Sequence, residues 1–128
     1  MSLRDQLKIL VVDDMAVSRG LLTQALDQIR VPNYEYVSNG EEAVAYLSRT
    51  PVHLVISDYN MPKMDGLGLL RAMRSTAATA GLGFIMVTGS EDNSLIAQGQ
   101  SLGMNNFLRK PFTAAHLQDC IEKVFGRL

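Results

Sequence analysis

Cysteine occurs once in the 128 residues, at Cys120, so no internal disulfide can form; a reducing compartment is compatible with that usage. Histidine occurs only twice, at His53 and His116. Neither falls at the C-terminal end of a predicted strand, so both are expected at or near the surface rather than as ligands. The formal net charge is −1, which gives no electrostatic reason to expect nucleic acid or an anionic membrane as a partner. The first residues mix Arg4, Asp5, Gln6 and Lys8 with isolated apolar side chains and lack the apolar stretch of a signal peptide. No later segment approaches membrane-spanning length, and there is no internal repeat or low-complexity stretch. These absences leave a cytoplasmic, monomeric globular protein as the expectation.

What is present fits one domain spanning residues 1–128. Hydrophobic residues make up 47% and charged ones 20%, ordinary for a globular chain. A domain of this length buries roughly two-thirds of the surface exposed by its unfolded chain. Five short apolar runs alternate with segments of helical period. Lys8–Val12 is short, β-branched and continuous, the pattern of a strand buried on both faces of a parallel sheet. Leu21, Leu22, Ala25, Leu26 and Ile29 then recur at helical spacing, in a helix predicted from near Met15 to before Pro32. Gly20 inside it is mildly unfavourable. Tyr34–Val37 alternates like a strand. Ser38 or Asn39 offers an N-cap with Glu41 and Glu42 following, ahead of Ala43, Val44 and Leu47. Val52–Ile56 is the third run, and a helix is predicted to open near Asp65 and bury Leu67, Leu70 and Met73.

Phe84–Val87 is the fourth run, with Gly81 and Gly83 expected in the loop before it. Asp92–Leu102 is a weaker helix, holding Gly99 and a thin stripe of Leu95, Ile96 and Leu102. Asn106–Leu108 is a short fifth strand. Thr113 can cap a last helix striped by Leu117, Cys120, Ile121, Val124 and Phe125. Strands alternating with helices imply βα units and an α/β fold: a doubly wound, five-stranded parallel sheet with helices on both faces. Ligands of such sheets bind outside the carboxyl ends of the strands, which directs attention to the residues standing there.

Asp13 and Asp14 follow the first strand, Asp58 the third, Thr88 ends the fourth, and Lys110-Pro111 follow the fifth. In a parallel sheet these five side chains converge on one edge. Two unit charges ~4 Å apart repel by about 4 kcal/mol at an effective dielectric near 20, so three carboxylates in one pocket call for a compensating cation. Oxygen donors without histidine or thiolate suit a hard divalent ion such as Mg²⁺. Lys110 supplies a second positive charge and Thr88 a hydroxyl donor. A carboxylate nucleophile, a metal and positive charge for equatorial oxygens are the parts that phosphoryl transfer needs. Taken singly, Asp13 or Asp14 serves equally well as a helix cap, Asp58 as a turn residue before Pro62, Thr88 as a cap and Lys110 as a solvated side chain. Their joint placement is what points to chemistry.

Asp13-Asp14 after an apolar strand, Asp58-Tyr59-Asn60-Met61-Pro62 with Met64-Asp65-Gly66, Thr88, and Lys110-Pro111-Phe112 together resemble the signature of two-component response-regulator receiver domains. The stretches Val55–Pro62 and Lys110–Ala115 are similar to stand-alone chemotaxis response regulators in particular, and the likeness runs from about Lys8 to the last helix. It implies a flavodoxin-like sheet of order 2-1-3-4-5. It implies Asp58 as phosphoacceptor; Mg²⁺ held by the Asp14 and Asp58 carboxylates, the Asn60 carbonyl and Asp13, directly or through water; and Lys110 paired with the phosphoryl group through a segment whose bond to Pro111 is often cis. Thr88 would move inward to the phosphoryl oxygen, with Gly89 leaving that oxygen accessible, and Phe107 would turn inward as the aromatic partner of this Thr88 switch, where the chemotaxis members usually carry tyrosine. Met104 stands where a small residue is common, and Asn60 and Ser90 at positions that tune phosphoryl lifetime.

A histidine kinase is the implied donor, and either a flagellar motor switch protein or a histidine phosphotransfer protein the downstream partner. The weak helix, Phe107 and the last helix form the expected partner face. With Leu128 close behind the last helix, a domain without an output segment is expected. Two readings of another class compete. A phosphatase of the haloacid dehalogenase type would place its acids as Asp-x-Asp, whereas here they are adjacent. A flavodoxin-type binding module would need a hydroxyl- and glycine-rich first loop, where Asp13 and Asp14 would repel a flavin phosphate.

Overall fold

The computed structural model describes residues 2–89 and 93–128. Five parallel strands, β1 (Lys8–Val12), β2 (Asn33–Val37), β3 (Leu54–Asp58), β4 (Gly83–Thr88) and β5 (Asn106–Arg109), pair in the order β2-β1-β3-β4-β5. Between them run α2 (Ala16–Gln28), α3 (Gly40–Arg49), α4 (Gly66–Arg74) and α5 (Asn93–Ser101), with α6 (Ala114–Phe125) after β5. The doubly wound α/β sheet expected from the alternation is observed, in the flavodoxin-like strand order that the resemblance implied. A four-residue helix α1 (Leu3–Gln6), capped by the Ser2 hydroxyl, was not anticipated; it is too short to show a period.

The apolar strands bury both faces. Ile9, Val11, Leu54, Ile56, Ile85 and Val87 point to the side covered by α2 and α6. Leu10, Val12, Val55, Phe84 and Met86 point to the side covered by α3, α4 and α5. Two hydrophobic layers on one sheet explain why these runs read as continuous rather than alternating. Three of the longer helices likewise open on side chains that accept a backbone N–H three residues on: Asn39 from Glu42, Asp65 from Gly68 and Thr113 from His116. His116 returns the favour, its Nδ1 accepting the Thr113 N–H, so this exposed histidine closes a capping box. His53 is likewise exposed and accepts the Lys8 N–H through Nδ1.

Several boundaries differ from expectation. β3 starts at Leu54 rather than Val52 and runs through Asp58, because the pairing register with β1 and β4, not the apolar run, sets its ends. Gly83 belongs to β4 and not to the preceding loop; a Cβ there would stand 2.9 Å from the Phe125 ring and 3.1 Å from Leu54. Leu21 and Val44, expected on apolar stripes, are exposed, since the stripes of α2 and α3 are narrower than the sequence suggested. α2 ends at Gln28 and Arg30 takes a left-handed turn (φ 63°) before Pro32. Nothing in the structure explains Gly20. The weak helix is present as α5 from Asn93; its expected start at Asp92, like Ser90, lies outside the described residues.

Met104 and Gly99, both odd in the sequence, answer each other: a Cβ on Gly99 would meet the Met104 sulfur at 2.5 Å. The glycine clears the space that the methionine fills. Arg74 ties the same region down, its guanidinium donating to the carbonyls of Gly103 (2.9 Å) and Ala80 (3.1 Å) and to Asn105 Oδ1 (3.2 Å).

Candidate functional site

The direction of winding changes between β1 and β3: β1 is followed in sequence by β2 on one side and adjoins β3 on the other. At such a switch point the loops leaving the two strands diverge and open a crevice at their carboxyl ends. Asp13 and Asp14 leave β1 on one side of it, and Asp58 ends β3 on the other. One carboxylate oxygen from each of the three lies within 4.8 Å of the others. Lys110, delivered by the end of β5 and followed by a cis Lys110–Pro111 bond, places Nζ 3.0 Å from Asp58 Oδ1. Asp58, Asn60, Thr88, Gly89 and Lys110 line one open cleft of about 470 Å³, with Tyr59. A groove of about 510 Å³ at the opposite edge, between Lys8, Asn33 and His53, holds no such cluster among the described residues.

The three acids are not equivalent. Asp13 is fully buried and both its oxygens are engaged: Oδ1 accepts the Met15 N–H (3.0 Å) and Oδ2 the Ser18 hydroxyl (2.5 Å). Arg19 donates to the Asp13 carbonyl (3.1 Å) and lies over the Tyr36 ring at 4.7 Å, which fixes the loop behind the acid pair. Asp14 Oδ1, by contrast, is buried with no hydrogen-bond partner. Asp58 is 4% exposed. Burial pushes its carboxyl above the ordinary range; Lys110 pulls it back, and the Asp13 charge adds to the rise. The strand behind it is braced by the Ser57 hydroxyl on the Asp58 carbonyl (2.9 Å) and by Tyr59 N–H on Val87 (2.9 Å).

Gly66 lets this bracing happen. A Cβ there would stand 2.8 Å from the Asp58 carbonyl oxygen and 2.5 Å from the Met86 sulfur, so α4 can start directly beneath the loop that follows Asp58. Thus Asp13, Asp14, Asp58 and Lys110 come together, with Thr88, Gly89 and Asn60 around the same cleft. Phe107 does not join them. It is half-buried on the α5 side of the sheet, with the Arg109 guanidinium 5.5 Å over its ring, beside a groove shared with His116, Asp119 and Cys120. Ser18 and Arg19 escaped the sequence reading. A serine and an arginine in a first helical turn carry no signal until the helix is seen to turn them back onto Asp13.

Three formal negative charges against one lysine, with one buried oxygen unpartnered, make a donor set that fits a hard divalent cation bound by oxygen. The response regulator receiver domain matches residues 9–122. The chain belongs to that family. The receiver is 43% identical over 128 residues, all of this chain and 99% of the relative, to a probable chemotaxis protein CheY of Rhizobium etli. Among solved structures, chemotaxis response regulator CheY4 of Vibrio cholerae superposes with a TM-score of 0.84 at 27% identity, covering 92% of this receiver and 98% of that chain. The receiver domain of a sensor histidine kinase from Pseudomonas aeruginosa, with a magnesium ion coordinated in its active site cleft, has the same TM-score, 0.84, at 25% identity over 94% and 98% of the two chains. CheY-like receivers are signalling proteins of two-component systems and not enzymes of the ordinary kind. Among the described residues, no helix of this one is long and apolar enough to cross a membrane.

Proposed function

We propose that this receiver is a phosphorylation-driven switch that takes a phosphoryl group from a histidine kinase onto Asp58. The observation that carries the reading is the pocket in which Lys110 Nζ stands 3.0 Å from Asp58 Oδ1 while one oxygen each of Asp13 and Asp14 lies within 4.8 Å of an Asp58 carboxylate oxygen. Asp14, Asp58 and the Asn60 carbonyl would hold Mg²⁺, with Asp13 behind them, and the bound ion would supply positive charge to the phosphoryl oxygens. An Asp58 oxygen attacks phosphorus in line. The P–N bond of the donor phosphohistidine breaks, its electron pair returns to the imidazole nitrogen, and histidine leaves neutral when its other ring nitrogen carries the proton. Lys110 and the Thr88 hydroxyl then meet phosphoryl oxygens, with Gly89 leaving room for them. Hydrolysis of the acyl phosphate by water restores the carboxylate and releases inorganic phosphate.

The signal is read on the α5, Phe107 and α6 side. α5 buries only Leu95 and Gly99, and elements with little buried apolar contact are the ones that shift most readily. Similarity to a probable chemotaxis protein supports a chemotaxis output, with a flagellar motor switch protein as partner; a histidine phosphotransfer protein, with this receiver as relay or sink, is the second reading. The test is direct. With acetyl phosphate and Mg²⁺ the intact mass should rise by one phosphoryl group, and Asp58→Asn or excess chelator should abolish the rise. Amide exchange in α5 and around Phe107 should change with a beryllofluoride mimic. No mass gain would refute the phosphoacceptor, and unchanged exchange the output face.

A further inference from the structure

We infer that Ser18 is a positioning residue that acts through Asp13 and lowers the affinity of the acidic pocket for its divalent ion. The inference rests on the proposed Mg²⁺ reading of that pocket and deepens it. Ser18 stands in the first turn of α2, and its hydroxyl donates to Asp13 Oδ2 at 2.5 Å, while Met15 N–H takes Oδ1. Asp13 is 0% exposed, so these donors stand in for water on a carboxylate that has none. Asp14 Oδ1, a buried oxygen on a part-exposed residue, receives no donor. The chain therefore divides the acid pair: one carboxylate has both oxygens hydrogen-bonded at the helix start, and the other keeps a buried oxygen with no donor.

The physical consequence has a sign. A hydroxyl that donates to a carboxylate draws off part of its negative charge, and a buried carboxylate deprived of that donor costs free energy unless another positive group replaces it. Within 4.8 Å of Asp58 and Asp14, the replacement is the divalent ion, either directly or through one of its waters. Removing the hydroxyl thus destabilises the ion-free pocket more than the ion-bound one, and binding tightens. A purely structural role for Ser18 predicts the opposite or nothing, since a displaced Asp13 would bind more weakly. Arg19, on the Asp13 backbone carbonyl, keeps the loop in place when only the hydroxyl is lost.

Threonine and valine are nearly isosteric and differ by this hydroxyl, so they carry the test. Titration calorimetry of MgCl₂ into the full chain, at fixed pH and ionic strength and without phosphodonor, should give Ser18→Thr a Kd close to that of the native chain. Ser18→Val should bind roughly three- to tenfold more tightly, the net worth of one hydrogen bond, with a larger rise in Tm on adding Mg²⁺. Ser18→Ala should follow valine if it folds. Equal or weaker binding by Ser18→Val than by Ser18→Thr overturns the inference while leaving the pocket reading intact. Absence of saturable Mg²⁺ binding by the native chain overturns both.

Discussion

Asp58→Asn should make the ion-free receiver more stable. Asp58 repels Asp13 and Asp14 through oxygens no more than 4.8 Å away, each worth about 3.5 kcal/mol as unit charges at that distance and an effective dielectric near 20, and attracts Lys110 at 3.0 Å by about 5.5 kcal/mol on the same scale. The attraction is screened, because the Lys110 side chain is 32% exposed whereas that of Asp58 is 6% exposed, and the repulsion from the part-exposed Asp14 is screened as well. Burial is the largest cost of the Asp58 charge, and together with the Asp13 charge it outweighs what Lys110 returns. Asparagine keeps the volume and an acceptor for Lys110 but drops the charge, so a gain of about 1–3 kcal/mol is expected at neutral pH, or a Tm rise of roughly 4–12 °C for a domain of this size. The assay is thermal unfolding with chelator present.

The folded Asp58 holds its proton more tightly than the unfolded one, so its contribution is favourable below the ordinary carboxylate range and is lost as pH climbs through the raised value. The advantage of Asp58→Asn should accordingly vanish in acid and grow over that window. Mg²⁺ should narrow it from the other side, since an ion at about a hundred times its Kd stabilises the native chain by about 2.7 kcal/mol and the asparagine variant by less. An asparagine variant that melts at or below the native temperature in chelator at neutral pH would refute the reasoning, for it would mean that Lys110 outweighs both repulsion and burial.

Gly99→Ala sets a Cβ 2.5 Å from the sulfur of the flexible, part-exposed Met104 side chain, a clash that about 1 kcal/mol of helix propensity offsets, so the net change should stay within about 1 kcal/mol; in a Met104→Ala background the same substitution should stabilise by about 1 kcal/mol, a coupling read from a double-mutant cycle by urea unfolding. Gly66→Ala presses on the Asp58 carbonyl at 2.8 Å and should both lower stability and weaken Mg²⁺ binding, read by calorimetry. Cys120 is buried, with burial pushing its thiol up to about 11; a thiol-disulfide reagent at pH 8 should react with it slowly in the folded chain and at the rate of a free thiol in urea.

Much of this receiver is legible along the chain because its sheet is buried on both sides. Ile9–Val12 and Phe84–Val87 must be continuously apolar to face two helical layers, and that continuity marks them as parallel strands before any contact is known. Parallel strands share a carboxyl edge, so Asp13, Asp14, Asp58, Thr88 and Lys110 could be grouped from their places after each run. The caps at Asn39, Asp65 and Thr113 are equally local, depending on backbone groups within one turn.

Whatever depends on one segment meeting another had to wait for the tertiary structure. The β3 boundary follows from register with two neighbours, and the burial of Gly83 from where Phe125 arrives. Gly99 and Met104 look like separate oddities until α5 folds back on its own exit loop. The difference between Asp13 and Asp14 is invisible in an acidic dipeptide; it arises because α2 returns Ser18 to one carboxylate and gives the buried oxygen of the other nothing. Residue type and order along the chain determined which charges gather at one sheet edge. Only the three-dimensional path of the backbone decided which of them is hydrogen-bonded through both oxygens and which keeps a buried oxygen without a donor.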